Sequence, residues 1–544
     1  MKRKIQQTIG IVGIPLLLIF GTVVTYLLAK GYRINIASGE IERTGVISVK
    51  TSPRKATIYL DEGMIGRSPR AIAGVSEGAH TVRLEKTGYQ PWSTEIFVEA
   101  EQLIPLEIPL FLIQPTTFPI FPDITSDLNT SYSIVSSFSD PGNMIYTFCA
   151  IATTTIQAST NTTSDSTLPQ EELPVPLTTR TLQIWTYPSD RRFWELSVQP
   201  RLITEFSERD LGTDLSSAIP TFDMSISPNG QQILATITTG DTQHVYILNS
   251  EVLNNKPEDI TVLSSSVELQ PTWSQDSVNI IFSRNGELRT YDTNTATQSV
   301  ISEKNEETGF VWTTTTAGQI FFLEKTLDMS HIIRTNSDGS AQTTVLDFAQ
   351  KDTSRVLFEP SSPDTTNGTE ISPTDLNEIL TDITEIVVTP EDEQIILLTP
   401  TGIVLYTLDG IETEVYEAHN PSFLSFSPEG SMFLYSDNGN TLKHFCYSAE
   451  DTDPLHSVGV SELLILADNA DYHQFSWHPS GKTVLYSYSV GGEDAFHINA
   501  VDIDNTQIFT ISETYTEPVF SIDSSGKYII SHCGEDICTV TFQE

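Results

Sequence analysis

The residues best placed to do chemistry are Gly74-Val-Ser-Glu-Gly78, which satisfy the Gly-x-Ser-x-Gly spacing of a hydrolase nucleophile elbow, with His80 two residues on. In such an elbow a serine on a sharp strand-to-helix turn attacks a carbonyl while a histidine takes its proton. Here the flanking residues read as short strands broken by Pro and Gly, with no α/β sheet to hold the turn, so the spacing is a coincidence. No His-Glu-x-x-His pair and no Gly-x-x-x-x-Gly-Lys-Ser/Thr phosphate loop occurs. His80, His473 and His478 read as packing or turn residues. Asp437-Asn-Gly-Asn440, Asn336-Ser-Asp-Gly339 and Asp502-Ile-Asp-Asn505 are oxygen-rich turns that could touch Ca²⁺. They lack the twelve-residue loop with its terminal bidentate Glu, and plain β-turns are the default.

Cysteine chemistry is equally sparse. Cys149, Cys446, Cys533 and Cys538 are scattered, which argues against a disulfide-dense scaffold and against a zinc ribbon. Cys533-Gly-Glu-Asp-Ile-Cys538 could place two thiols across a hairpin turn, as a local disulfide or, as expected here, as two unlinked residues. No catalytic, cofactor-binding or metal-ligating residue is assigned, and the chain is read as a non-enzyme with no cofactor.

The elements that would position any site are repeats. Phe222-Asp-Met-Ser-Ile-Ser-Pro-Asn-Gly230, Phe423-Leu-Ser-Phe-Ser-Pro-Glu-Gly430, Phe475-Ser-Trp-His-Pro-Ser-Gly481 and Phe520-Ser-Ile-Asp-Ser-Ser-Gly526 each precede an apolar run. Alternation such as Phe222, Met224 and Ile226 puts one strand face into a core, and the Pro and Gly make a tight reversal. Weaker copies start at Pro271, Phe310 and Ile383, so seven are visible between about 219 and 544. A period of roughly 40 to 50 residues is one propeller blade. Several copies carry a third strand ending at an acidic or amide turn, such as Glu287-Leu-Arg-Thr-Tyr-Asp and His497-Ile-Asn-Ala-Val-Asp. The pattern resembles the TolB-like and WD-repeat-like β-propellers over residues 116–544. A divergent eighth blade, with Tyr132-Ser-Ile-Val-Ser-Ser-Phe, Met144-Ile-Tyr-Thr-Phe and Leu182-Gln-Ile-Trp-Thr-Tyr as strands, would precede the seven, and seven or eight blades both stay open. Trp273, Trp312 and Trp477 fall at corresponding strand positions and read as repeated core packing. Residues 152–180 and 359–378 lack aromatic residues and read as mobile insertions on the rim.

Residues 45–112 have a different texture. Short alternating strands such as Ala56-Thr-Ile-Tyr-Leu-Asp61 and Thr94-Glu-Ile-Phe-Val98, separated by Pro and Gly turns, predict a small antiparallel β-sandwich. Ser52-Pro53, Gly66-Arg-Ser-Pro69, Gly78-Ala-His80 and Gly88-Tyr89 follow in an order that resembles the PEGA domain family. That family typically has Ser-x-Pro at the first of these positions and Thr before the second Pro. This chain has Ser52 adjoining Pro53 and Ser68 before Pro69. The resemblance implies an accessory module of surface or envelope proteins, wall-facing or protein-binding. Trp92, after Gly88-Tyr-Gln-Pro91, is expected to be partly exposed and is the aromatic to test for stacking on a wall polymer.

At the N-terminus, Ile9 to Leu28 is a run of twenty residues with no charge, enough to cross about 30 Å of hydrocarbon as a helix. Lys2, Arg3 and Lys4 precede it, which favours a cytoplasmic segment 1–8, a single-pass transmembrane anchor at 9–28 and everything later outside the cytoplasm. A cleaved signal peptide is the competing reading, but the run is longer than a usual signal core and Tyr26-Leu-Leu-Ala-Lys30 offers no Ala-x-Ala-like site.

The 544 residues include 29 basic and 71 acidic ones, a net charge of −42. A field of that sign repels nucleic acid and anionic polymers at the level of net charge. The expected partners are therefore a protein or a cell-envelope polymer, with the membrane engaged through the N-terminal helix and no nucleic acid. The whole reads as an all-β, membrane-anchored surface or envelope protein: a transmembrane helix, a PEGA-like β-sandwich, then a 7- or 8-bladed β-propeller acting as a non-catalytic binding or scaffolding module. A propeller enzyme with its site in the central channel, for example a glycan-active one, and a structural surface-layer component are the alternatives.

Overall fold

The computed structural model describes residues 41–119 without a break, most of 221–347 and 383–543, and parts of 21–34 and 128–211. Among the described residues the fold is all-β apart from helical pieces such as Glu208–Leu211. Of the anchor expected at 9–28, only Gly21 and Thr22 are described, both helical; the rest, with 1–8, lies outside the described residues. Among the described residues no helix is long and apolar enough to cross a membrane.

The first module consists of two four-stranded sheets. One joins β1 (Tyr32–Ile34), β2 (Ile41–Ser52), β5 (Arg70–Ser76) and β8 (Leu103–Pro109). The other has the order β4-β3-β6-β7, with β3 at Thr57–Leu60, β4 at Gly63–Arg67, β6 at Gly78–Glu85 and β7 at Trp92–Val98. Strict alternation in β7 buries Trp92, Thr94, Ile96 and Val98 while Ser93, Glu95 and Phe97 face outward, as a strand with one face on a core requires. The sandwich is not wholly antiparallel, as the sequence had suggested. β8 pairs with β2 in parallel, from Val46 opposite Leu103 to Ser52 opposite Pro109, because the chain crosses to the second sheet and returns before β8 instead of folding back through a hairpin. Ser68, buried beside Pro69, shares a 2.5 Å bond with Thr51 Oγ1 and accepts the Ala56 amide at 3.0 Å, so its hydroxyl is fully used.

From residue 128 onward, eight sheets follow among the described residues, nearly all of four antiparallel strands in chain order. The first is built on the long hairpin Ile145–Ile156 and Leu177–Pro188. The last holds Phe520–Ile522, Tyr528–Cys533 and Asp536–Thr541, and its outer strand is β9 (Thr116–Pro119), which precedes all the others in the chain. The innermost strand of the last sheet, Phe520–Ile522, lies against Ile134–Ser136 of the first, so the series closes on itself as a propeller does. Apolar side chains from facing sheets fill the gaps between blades, for example Ile395, Leu397 and Tyr406 against Phe321, Leu323 and Ile332.

Two expectations change here. Residues 152–156 and 177–180, read from sequence as part of a mobile insertion, extend the first-blade hairpin in register, with Ala152 opposite Thr181 and Ile156 opposite Leu177; β-branched residues throughout that stretch suit strands. The remainder of that insertion and 359–378 lie outside the described residues. Trp273 and Trp477 each directly precede the turn of their blade and donate Nε1 to the Ser225 and Ser425 carbonyls of the preceding blade. Trp312, in contrast, stands three residues before its turn residue Thr315, and its indole reaches Thr272 Oγ1 at 3.2 Å; it is not an equivalent position.

Candidate functional site

The blade turns explain the place of His478. Ser227, Thr315, Thr389, Ser427 and Asp523 occupy the same place after the first strand of their blades. Each uses a side-chain oxygen to accept the amide of the residue that opens or directly precedes the second strand, at 2.9–3.1 Å. His478 fills that slot in the seventh blade. Its Nδ1 takes Ser480 at 2.7 Å, and its Nε2 donates to the Gly526 carbonyl of the next blade at 3.0 Å. Burial pushes this imidazole down to about 4, so it is neutral at physiological pH with both nitrogens engaged: a turn residue, as the sequence reading held.

Gly74-Val-Ser-Glu-Gly78 forms a geometry the sequence did not anticipate. Ser76 Oγ lies 3.3 Å from His80 Nε2, and His80 Nδ1 lies 2.6 Å from Asp61 Oδ2, a serine-histidine-aspartate order. The His80 hydrogen bond holds the Asp61 carboxyl below its ordinary range. Yet Nε2 sits closer to the Ser76 carbonyl, at 2.8 Å. A carbonyl only accepts, so Nε2 carries a hydrogen and is not free to take one from Ser76 Oγ. The trio clips the β5–β6 turn to the β3–β4 turn.

Two of the oxygen-rich turns also use their carboxylates internally. Asp437 accepts the His419 amide at 2.6 Å and pairs with Lys443, and Asp338 accepts Ser340 at 2.9 Å. The third, Asp502, is taken up by Trp92, described below. Among the described residues no group of three or more His, Cys, Asp or Glu side chains is arranged to hold a metal ion. Cys446 is buried and forms no disulfide. Cys538 is disulfide-bonded, contrary to the expectation of an unlinked residue; its partner is not among the described side chains.

The seam between the two modules is where the structure departs furthest from the sequence. Trp92 is fully buried, not partly exposed, because β7 lies against the seventh blade. Its Nε1 donates to Asp502 Oδ2 at 2.8 Å, while Asp502 Oδ1 accepts the amides of Asp504 and Asn505. Burial, with Asp504 nearby, pushes the Asp502 carboxyl up to about 6 despite those donors. Around this pair, Asn505 Nδ2 donates to Ser93 O, Gln507 Nε2 to Pro91 O and Gln90 Nε2 to Thr510 O, each at 2.8 Å. Phe111 packs on Phe509 and Phe542, and one apolar core runs from Ile47 and Trp92 through Phe111 to Leu485 and Ile529.

Beside this contact opens a cleft of about 750 Å³, walled by Lys50, Arg54 and Glu107 of the first module and by Ser480, Lys527 and Gln543 of the last two blades. Gln543 Nε2 bridges its floor to Ser52 O at 2.7 Å. A second cleft of about 620 Å³ lies on the other side of the Arg54–Lys55 turn, lined by Lys55, Thr57, Arg67, Lys86, Thr87 and Tyr89 among others.

No curated protein matches the chain. The C-terminal region is similar in fold to solved β-propellers. An oligogalacturonate lyase from Vibrio parahaemolyticus shares 9% identity at a TM-score of 0.37, over 76% of this chain and 98% of that one. The β-propeller domain of Cps50 from Myceliophteria thermophila gives 10%, 0.37, 59% and 96%, and a TolB from Agrobacterium tumefaciens 11%, 0.29, 53% and 94%. Nothing about activity or partners carries over from likeness at that level. The first module is assigned by family: residues 44–112 match the PEGA domain.

Proposed function

We propose that this chain is a single-pass membrane protein of the cell envelope, N-terminus cytoplasmic and both β modules outside. In this reading it works as a non-catalytic binding or scaffolding unit for a protein or envelope polymer. The observation that carries the reading is the seam. A buried indole–carboxylate bond and a shared core make the PEGA module and the propeller one body, so a partner meets a composite surface and not two tethered domains. The uncharged run at 9–28 supports the anchoring.

The test uses the full chain. Protease added to intact cells should digest both β modules and spare residues 1–8. Detergent-solubilised protein should co-sediment with purified envelope material. Protection of the modules in intact cells, or no co-sedimentation together with no envelope cross-links, would sink the reading.

A further inference from the structure

Electrostatics at the seam run against the rest of the molecule. Residues 44–112 carry seven basic and eight acidic side chains, against 22 and 63 in the remainder, and the basic ones gather at the two clefts. Lys50, Arg54 and Lys527 line the first, and Lys55, Arg67 and Lys86 the second. Each cleft has one carboxylate, and each is already engaged: Glu107 by Lys50 and Glu85 by Arg83. Arg54, Lys55, Arg67 and Lys527 have no ion-pair partner among the described residues, in a chain with 71 carboxylates to choose from.

The ridge between the clefts is held in place. Lys86 Nζ donates to Arg54 O at 3.0 Å, the Lys55 amide donates to Ser68 O at 2.9 Å, and Lys55 takes a left-handed φ of 72°. The Arg54 and Lys55 side chains are thereby directed into separate clefts.

From this arrangement we infer that the two clefts form one docking surface for a linear phosphate polymer that crosses the Arg54–Lys55 ridge; the inference deepens the envelope-binding function proposed above and rests on it. At physiological ionic strength the screening length is about 8 Å, so the distant acidic field of the propeller is damped while contacts inside the clefts are not. Lysine and arginine next to hydroxyls, here Thr57 and Thr87, are the donor set of phosphate contacts. The first cleft has no Trp, Tyr or Phe in its lining, and the one aromatic of the second, Tyr89, is buried with Lys86 Nζ over its ring, which disfavours a protein partner, whose anchors are commonly aromatic. It equally disfavours single-stranded nucleic acid, which stacks its bases on aromatic rings.

The test titrates the detergent-solubilised full chain with a short linear polyphosphate at low and physiological salt. Saturable binding that weakens with salt is expected. Arg54→Gln with Lys527→Gln should reduce affinity about tenfold or more and lower the salt slope by about two, while Arg334→Gln, in the fourth blade, changes neither. Lys55→Gln with Arg67→Gln, in the other cleft, should weaken binding comparably, and unchanged thermal transitions confirm that the variants fold. Binding that is absent, or insensitive to both pairs of substitutions, overturns the proposal. So does equal or tighter binding of poly-glutamate or of a single-stranded oligonucleotide, which would assign the surface to an acidic protein or to nucleic acid. If envelope co-sedimentation persists in the variants while polyphosphate binding is lost, the envelope function stands and its contact lies elsewhere.

Discussion

Trp92 Nε1 and Asp502 Oδ2 meet at 2.8 Å across 410 residues of sequence, with both side chains out of water. Trp92→Phe keeps most of the packing but leaves the carboxylate oxygen without its donor, and should cost about 1–3 kcal/mol. Trp92→Ala also opens a cavity and should cost about 3–5 kcal/mol. Denaturant unfolding of the full chain should show the PEGA module and the last blades melting in one transition in the parent. The Ala variant should separate them. Two well-resolved transitions in the parent would contradict the shared core.

Two buried groups at the seam titrate with opposite effect. Asp502 rises from 3.8 to about 6. Between those values the folded state holds a proton the unfolded state has lost, so stability falls as pH rises. His478 drops from 6.5 to about 4. Between those values the unfolded state holds the extra proton, so stability falls as pH falls. Each shift amounts to about 3 kcal/mol, and over pH 4–6 they offset. His478→Gln should therefore expose a stability that declines from pH 4 to 6, and Asp502→Asn one that declines from pH 6 to 4. Denaturation midpoints across that range check both slopes.

Glycine is required to different degrees at two turns. Gly526 has a φ of +68°, and a Cβ there would sit 2.3 Å from His478 Nε2; Gly439 has +67° with nothing within 4 Å. Gly439→Ala should cost only the left-handed backbone penalty, about 1–2 kcal/mol. Gly526→Ala should cost roughly 2 kcal/mol more, because the imidazole must leave the Gly526 carbonyl and a buried acceptor is then unpaired. Equal losses of stability would show that the His478 contact is dispensable.

The Ser76, His80 and Asp61 trio is expected to be inert as a nucleophile. A fluorophosphonate probe should label neither the parent nor Ser76→Ala. Labelling that disappears in Ser76→Ala would show that Nε2 can leave the Ser76 carbonyl and act as a base.

The repeats were legible because each blade solves the same local problem. A side-chain oxygen must cap the turn and a Gly must follow at positive φ, as at Ser227 with Gly230 and Ser427 with Gly430, so residue types recur at fixed spacing. His478 belongs to the same series, its imidazole filling the slot by a different bond. Trp312 looked equivalent to Trp273 because both lie close before a turn, while strand register decides what an indole touches. The seam was invisible for a different reason. Trp92 alternates correctly for a buried position, but nothing local says that its cover comes from Asp502 and Phe509. The basic clefts were masked by a net charge of −42, which averages over positions that only folding brings together.

The ring of blades is fastened by β9, which begins four residues after Leu112 leaves the PEGA module, against Asp536–Thr541 at the other end of the chain, from Thr116 opposite Thr541 to Pro119 opposite Cys538. Mechanically, that places the clasp next to the handle. Tension applied from the N-terminal side would reach the propeller first at this antiparallel pair, in parallel with the seam beside it. The grip of the PEGA module on the last two blades thus relieves the clasp of load, and a pull strong enough to undo the seam would next act on the strand that keeps the ring shut.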